Sequence, residues 1–463
     1  MPNYTHLNDT IVALATPPGV GAIGVIRLSG AAAIDIVDQC FKGKNLKEQA
    51  SHTIHFGSIR NEQNLIIDEV VVSLFVGPKS YTGEHVVEVS CHGSNYILQQ
   101  VIQLFIEHGA RMAQPGEFTL RAFLNGRMDL SQAEAVADLI ASSSASAHNI
   151  AMQQMRGGFS DEIQKLRQEL IDFASLIELE LDFSEEDVEF ANRDNLKTLV
   201  QKIRGLLRAL IDSFQLGNVI KNGINTVIAG RPNAGKSTLL NALLNEERAI
   251  VSEIAGTTRD TIEEVLNIQG IEFRLIDTAG IRDAQDQIEA IGVEKTLEKI
   301  QQSAVLLYVF DVVQSPPEEV RKDLEKLASA DLQFLVIANK MDLNPYTKAE
   351  HYINEFLPAE HFLPVSALNK MNIDYLKERL HELVIDQQLI RESTVVSNVR
   401  HFEALSKAEE SLGEVLNGLA SGITADFVAM DIRRALQFLG EITGEISTDD
   451  LLGNIFGKFC IGK

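Results

Sequence analysis

Residues 230–237 read Gly-Arg-Pro-Asn-Ala-Gly-Lys-Ser, and no other stretch restricts the fold so tightly. They match the phosphate loop G-x-x-x-x-G-K-[ST], which needs a strand before it and a helix after it. A strand-like run, Ile224 to Ala229, precedes the octet, and a helix-like run, Thr238 to Leu244, follows it. Gly230 and Gly235 let the backbone curl so that its N–H groups face phosphate oxygens at the positive end of the helix. Lys236 supplies a point charge to the β- and γ-phosphates, and Ser237 a hydroxyl to Mg²⁺.

Three further runs follow in the required order. Asp277-Thr278-Ala279-Gly280 comes after the strand-like Phe273–Ile276, where a Mg²⁺-side aspartate and a γ-phosphate-sensing glycine amide belong. Asn339-Lys340-Met341-Asp342 comes after Phe334–Ala338. The Asp342 carboxylate can accept two hydrogen bonds from guanine N1–H and the exocyclic amine, a pair that adenine lacks. Ser366-Ala367-Leu368 follows Phe362–Val365 and is expected to close over the base through a backbone N–H. Together these runs specify a GTPase rather than an ATPase. The nucleotide-binding set also takes in Asn233, Ala234 and Thr238, and the segment Ser252, Glu253, Ile254, Ala255, Gly256, Thr257 and Thr258.

The chain has 463 residues, which suggests about three domains. A net charge of −24 argues against passive, bulk-charge binding of nucleic acid, while leaving room for RNA handled jointly with a partner. Three cysteines without paired spacing (Cys40, Cys91, Cys460) imply a reducing compartment and no structural zinc. No charged leader with an apolar core opens the chain, and no run of about 18 apolar residues occurs. A cytoplasmic protein with no membrane span is expected.

Residues 1 to about 122 look α+β, with strand-like Thr10–Ala15, Ala22–Ser29, Thr53–Arg60, Glu69–Val76 and Val86–Cys91, and helical Ala31–Phe41 and Tyr96–His108. From Asp129 the pattern turns helical. Ser131-Gln132-Ala133-Glu134 reads as a capping box, and only Gly157-Gly158 interrupts the stretch to Phe183. Ser184-Glu185-Glu186-Asp187 reads as a second box, and the acidic cluster Glu178–Glu189 as a solvated helix junction or a cation site. Alternating strand and helix patterns over 221–382 fit a doubly wound sheet, and His401–Gly418 and Ala425–Gly440 are helical again. The expected fold is therefore multidomain α/β and α. It comprises an α+β domain (1–122), a helical domain in two parts (123–220 and 383–463), and a Ras-like P-loop GTPase domain (221–382) inserted between those parts.

The GTPase departs from the small-switch pattern at one place. Where a water-orienting Gln follows Asp-Thr-Ala-Gly, this chain has Ile281, which can neither orient nor deprotonate water. The acid-rich segment 283–289 could deliver a replacement. No arginine finger is visible, so another cation must offset the developing charge. Asn233 can offer an oxygen to a monovalent ion, and the carbonyls of Ser252–Thr258 could complete a K⁺ site.

Asn233, Gly256-Thr257-Thr258-Arg259-Asp260, Asp277-Thr278-Ala279-Gly280-Ile281 and the terminal Phe459-Cys460-Ile461-Gly462-Lys463 together resemble the MnmE (TrmE) family of tRNA-modification GTPases. Upstream, so do Thr16–Gly19, Ile26–Gly30, Ser80–Glu84, Pro115–Phe118 and Arg121–Asn125. The resemblance covers the whole chain. It implies an amino-terminal domain that binds tetrahydrofolate (5-formyl or 5,10-methylene form) and dimerises. It also implies K⁺-promoted pairing of GTPase domains in the homodimer, and modification of C5 of the tRNA wobble uridine with an FAD-dependent partner, MnmG, in a heterotetramer.

By the same resemblance the folate contacts would be Arg27, Glu84, Arg127 and Lys463, with Arg127 standing where the family usually has Lys. K⁺ would be held by Asn233, Ser252, Ile254 and Thr257, Mg²⁺ by Ser237 and Thr258, and water would be activated by Glu289. Cys460 is either buried under the terminal helix or set near the carbon donor. The alternative is a ribosome-assembly or RNA-chaperone switch that shares the GTPase domain alone.

Overall fold

A computed structural model of the chain describes residues 9–182, 193–244, 264–276, 305–327, 333–354, 357–384, 395–421 and 423–462. The first element, β1 (Ile11–Leu14), is followed by β2 (Ile23–Ser29), α1 (Ala33–Cys40), β3 (Phe41–Lys42), β4 (Thr53–Arg60), β5 (Ile66–Phe75) and β6 (Val86–His92). Then come α2 (Asn95–Glu107), β7 (Arg111–Met112) and α3 (Glu117–Leu124). The strands form one sheet in the order β3-β4-β5-β6-β2-β1-β7. Every pairing is antiparallel except β1 with β7.

Strand alternation sorts this sheet into two faces. Val12, Ile26, Leu28, Val72, Leu74, Val87 and Val89 pack under α1 and α2 in one core. On β1 the alternate residues Ile11 and Ala13 point the other way, onto Phe118 of α3. Arg27 and Ser29 of β2 belong to this second face, because their register partners are Ala13 and Ile11. The sheet thus places one polar strand segment opposite its helix-covered side.

Helices follow: α4 (Leu130–Ala141), α5 (Ala145–Met155), α6 (Gly158–Asp182) and α7 (Arg193–Asn222). The cap of α4 differs from the expected one. Asp129 Oδ1 accepts the Gln132 amide at 2.8 Å while Gln132 Oε1 accepts the Asp129 amide at 2.9 Å. The box therefore sits two residues upstream of Ser131, whose fully buried hydroxyl meets Gln154 instead. The helical stretch also breaks at Ser142-Ser143-Ser144, where the Ser144 hydroxyl caps the Ala147 amide at 3.2 Å. The second expected box and the cluster 178–189 lie outside the residues whose side chains are described.

Next come β8 (Ile224–Gly230), α8 (Lys236–Leu244), β9 (Glu264–Ile268), β10 (Ile271–Ile276), β11 (Val305–Asp311), α9 (Pro317–Leu327), β12 (Gln333–Asn339), β13 (Phe362–Pro364) and α10 (Ile373–Val384). They build a sheet in the order β13-β12-β11-β8-β10-β9, parallel but for the edge strand β9. β11 is buried along its whole length, as a central strand covered on both faces requires. The chain ends in α11 (Val399–Ser421), α12 (Ala425–Thr443) and α13 (Asp449–Phe456).

Two compact units result. One comprises Met1–Ile140, Met152–Arg204 and Lys407–Lys463, and the other Ala141–Ala151 and Gly205–Ser406. In the first, Arg204 pairs with Glu409 at 2.7 Å, and Arg167 reaches the Leu436 carbonyl and the Glu445 carboxylate. Segments far apart in sequence are thereby joined within that unit. Among the described residues no helix is long and apolar enough to cross a membrane.

Candidate functional site

In the second unit, the chain leaves β8 for β10 on one side and β11 on the other. That reversal opens a crevice at the carboxyl ends of the strands, the usual ligand position in such sheets. The phosphate loop lies there. Gly230 faces Val309 in the parallel register, so closely that a Cβ would lie 2.0 Å from the Val309 carbonyl oxygen. Gly235, at φ +89°, would place a Cβ 2.3 Å from Asn339 Nδ2. Neither position admits a side chain.

Lys236 Nζ donates to the Gly230 and Arg231 carbonyls, each at 2.8 Å, and so curls the loop around its own ammonium. Burial pushes this lysine below its usual range. An arriving phosphate would favour the charged form by pairing with it. Arg231 is held by Glu319 and by Asp323, which also accepts the Tyr308 hydroxyl proton at 2.5 Å. Asn233, exposed at φ +59°, has an uncommitted side chain among the described residues. Ala234 is buried, Ser237 lies in the first turn of α8, and Thr238 is exposed beside it.

The base-selecting residues converge on the same edge. Asn339 Nδ2 donates to the Ala234 carbonyl at 2.9 Å, and its Oδ1 accepts the Ala367 amide at 3.0 Å. One side chain thus ties the phosphate loop to the Ser366–Leu368 loop. Asp342 is oriented by the Ser366 hydroxyl at 2.6 Å, and Lys340 pairs with Asp311 at 2.7 Å. Burial works against the Asp311 carboxylate, but Lys340 and the Val313 amide hold it below its usual range. Met341 is buried and Leu368 exposed. In this loop the Ala367 amide is engaged by Asn339. Ser252, Glu253, Ile254, Ala255, Gly256, Thr257, Thr258, Asp277, Thr278, Ala279, Gly280, Glu289 and Lys463 lie outside the described residues.

The first unit carries a second polar site. Arg27 pairs with Glu88 at 2.8 Å, and its guanidinium lies 5.7 Å above the rings of Tyr81 and of Phe118. Its Nη1 also reaches the Gly462 carbonyl at 3.5 Å. The tail is fixed against this place: the Gly116 amide donates to the Cys460 carbonyl, and Gly462, at φ +96°, leaves no room for a Cβ against the Leu14 carbonyl 2.2 Å away. Cys460 itself is exposed, which corrects the reading that buried it under the last helix. Cys91 is buried against the Gly24 carbonyl, as a strand-end cysteine should be.

Glu84 accepts the Ser29 hydroxyl proton at 2.6 Å and two contacts from Arg121 at 3.2 Å. Arg127 lies beside Gly83 and lines a cavity with Tyr81. Sequence reasoning missed Arg121 as a determinant of this site. Its side chain is 1% exposed and is surrounded by Asp9, Glu84 and Glu117. Burial works against the Asp9 and Glu117 carboxylates, yet the arginines at 111 and 121 hold both below their usual range. The i,i+4 pair with Glu117 is its one local signal, and its other partners, Glu84 and Asp9, lie 37 and 112 positions away.

The family model described as MnmE helical domain matches residues 130–460, and the model described as GTP-binding protein TrmE N-terminus matches residues 10–127. The tRNA modification GTPase MnmE of Cytophaga hutchinsonii is 56% identical over 459 residues, covering 99% of both chains. The protein of that name from Christiangramia forsetii is 56% identical over 474 residues, covering 99% of this chain and 100% of its own. That from Bacteroides thetaiotaomicron is 50% identical over 465 residues, covering 98% and 99%.

Proposed function

The chain belongs to the MnmE family of tRNA modification GTPases, and from that premise we propose a K⁺-stimulated, dimerisation-dependent GTP hydrolase. In this reading it acts with the FAD-dependent partner MnmG and a tetrahydrofolate one-carbon donor. Together they add an aminomethyl or carboxymethylaminomethyl group to C5 of the wobble uridine, with the tRNA gripped jointly by both proteins. The cytoplasm is the proposed compartment. The observation that carries the GTPase half is the single hydrogen-bonded edge joining Lys236, Asn339, Asp342 and Ser366.

On that edge the loop amides and Lys236 bind the phosphates, and Asp342, held by Ser366, selects guanine. Asn233 fits a K⁺ ligand, since its side chain is exposed and uncommitted within the phosphate loop. Ser252, Ile254 and Thr257 complete that proposed set. Ser237 and Thr258 would hold Mg²⁺, and Glu289 would take a proton from the attacking water. When bound, the two cations supply positive charge where the leaving phosphate develops negative charge.

The folate half rests on Arg27, Glu84, Arg127 and Lys463. Arg27 and Ser29, the latter bonded to Glu84, share one face of the amino-terminal sheet, and the tail residue before Lys463 reaches Arg27. Homodimerisation is supported by Ile23, Ile54, Phe56 and Val71, exposed by 65%, 70%, 69% and 37% on the sheet face turned away from α1 and α2. The domain division 1–122, 123–220, 221–382 and 383–463 belongs to the same proposal. A ribosome-assembly switch that shares only a GTPase domain does not fit relatives matching 99% of this chain.

Turnover by the full-length chain tests the GTPase half. Hydrolysis in K⁺ should exceed that in Na⁺. Glu289→Ala should lower kcat by about 10²–10⁴-fold, the usual contribution of a general base, while GTP affinity stays within about threefold. Equal rates in both salts, or normal turnover in the variant, would overturn it.

A further inference from the structure

Beside the Arg27–Glu84 site lies a cavity of about 250 Å³, lined by His52, Phe75, Lys79, Ser80, Tyr81 and Arg127. Its lining holds two cations and no carboxylate. Elsewhere in this sheet domain the arginines at 27, 111 and 121 are all paired with acids. Lys79 and Arg127 have no carboxylate partner among the described residues, in a chain of net charge −24. Unpaired cations gathered at one concavity suit an anionic ligand.

The wall is fixed rather than incidental. His52 takes a left-handed backbone at φ +64°, a costly position for a non-glycine residue. Its ring is held by the Ser51 hydroxyl at 2.8 Å and stands edge-on to Phe75 at 5.5 Å. On the other side the Ser80 hydroxyl donates to the Glu84 carbonyl at 2.5 Å. Tyr81 belongs to both places, since it lines the cavity and carries the Arg27 guanidinium over its ring. The cavity and the place of Arg27 therefore share the Tyr81 side chain as a common wall. The volume is below the roughly 300–1,000 Å³ typical of a whole drug-sized ligand, so the cavity takes one end of a molecule.

We propose that this cavity seats the carboxylates of the γ-glutamyl residues added beyond the folate's first glutamate, with Lys79 and Arg127 as their counter-charges and Phe75 and Tyr81 as the apolar walls. This rests on the folate reading above, and makes the site selective for polyglutamylated over monoglutamylated cofactor.

Equilibrium binding of 5-formyltetrahydrofolate and its triglutamate to the full-length chain tests it. The triglutamate should bind about five- to tenfold tighter, as expected for a few solvent-exposed ion pairs. Lys79→Ala should erase that preference and leave monoglutamate affinity within about twofold. Lys79→Gln, which keeps the bulk, should do the same. Equal binding of the two forms by the unaltered chain overturns the tail site alone. Binding of neither form overturns the folate reading with it. A variant that keeps the tail preference but loses tRNA affinity overturns the proposal and assigns the cations to phosphate.

Discussion

Lys236 finds both of its partners within six residues of itself, whereas Arg27 touches a carbonyl 435 residues away. The two sites are built on different plans. At the nucleotide edge, short loops at strand ends present backbone amides, held in place by hydrogen bonds from the side chains of Asn339 and Ser366. At the amino-terminal site, side chains from β2, the Ser80–Glu84 segment, α3 and the tail meet as ion pairs around a buried arginine. The first plan depends on room for the backbone. The second depends on every charge in it keeping its partner.

That contrast can be broken at several points. Gly230→Ala attacks the backbone plan directly. The new methyl meets the Val309 carbonyl at 2.0 Å, and no side-chain movement relieves it. GTP affinity, followed by fluorescent-nucleotide titration, should fall by about 100-fold or more, with folate binding unchanged. Retained GTP affinity would show that the loop tolerates what its packing forbids.

Arg121→Met attacks the charged plan by removing the arginine paired with Glu84 and leaving Asp9 and Glu117 to Arg111 alone. Loss of about 3–5 kcal/mol of stability is expected, as for removal of one partner from a buried pair. Chemical denaturation reads it, and a loss below about 1 kcal/mol would mean the network is solvated enough to spare its centre.

Asp342→Asn sharpens the comparison, because it alters base choice without touching the phosphate loop. Preference for GTP over XTP should fall by roughly 10–100-fold, the value of one or two charged hydrogen bonds. An unchanged preference would remove this carboxylate from base recognition.

Acid supplies the smallest expected effect. Asp9 and Glu117 are held below their usual range in the folded chain, so the unfolded chain takes up protons first. Their contribution is fully present above about pH 5 and is lost as pH falls through the lowered folded values, below about pH 4. The unit containing the amino-terminal sheet should melt at a lower temperature at pH 3.5 than at pH 7. Arg121→Met should flatten that dependence.

Residues that interact with near neighbours were legible in advance. The phosphate loop, Asn339, Asp342 and Ser366 follow strand-like runs, and β4 spans the expected Thr53–Arg60. The misses concern competition and distance. Asp129 outcompeted Ser131 as the cap because its own residue three positions on, Gln132, could return the hydrogen bond. The β9–β10 hairpin turns at Gln269-Gly270, both at positive φ, where glutamine gives no turn signal.

By itself the sequence determined that this chain folds a phosphate loop between a strand and a helix, binds guanine nucleotide and resembles the MnmE family. Those facts depend on residues a few positions apart, whose geometry the backbone dictates. Only the tertiary structure decided that Arg121 sits buried among three acids, that the tail reaches Arg27, and that Lys79 and Arg127 share a cavity. Each of these joins segments that the chain keeps apart, and bringing them together costs entropy that burial and charge pairing must offset.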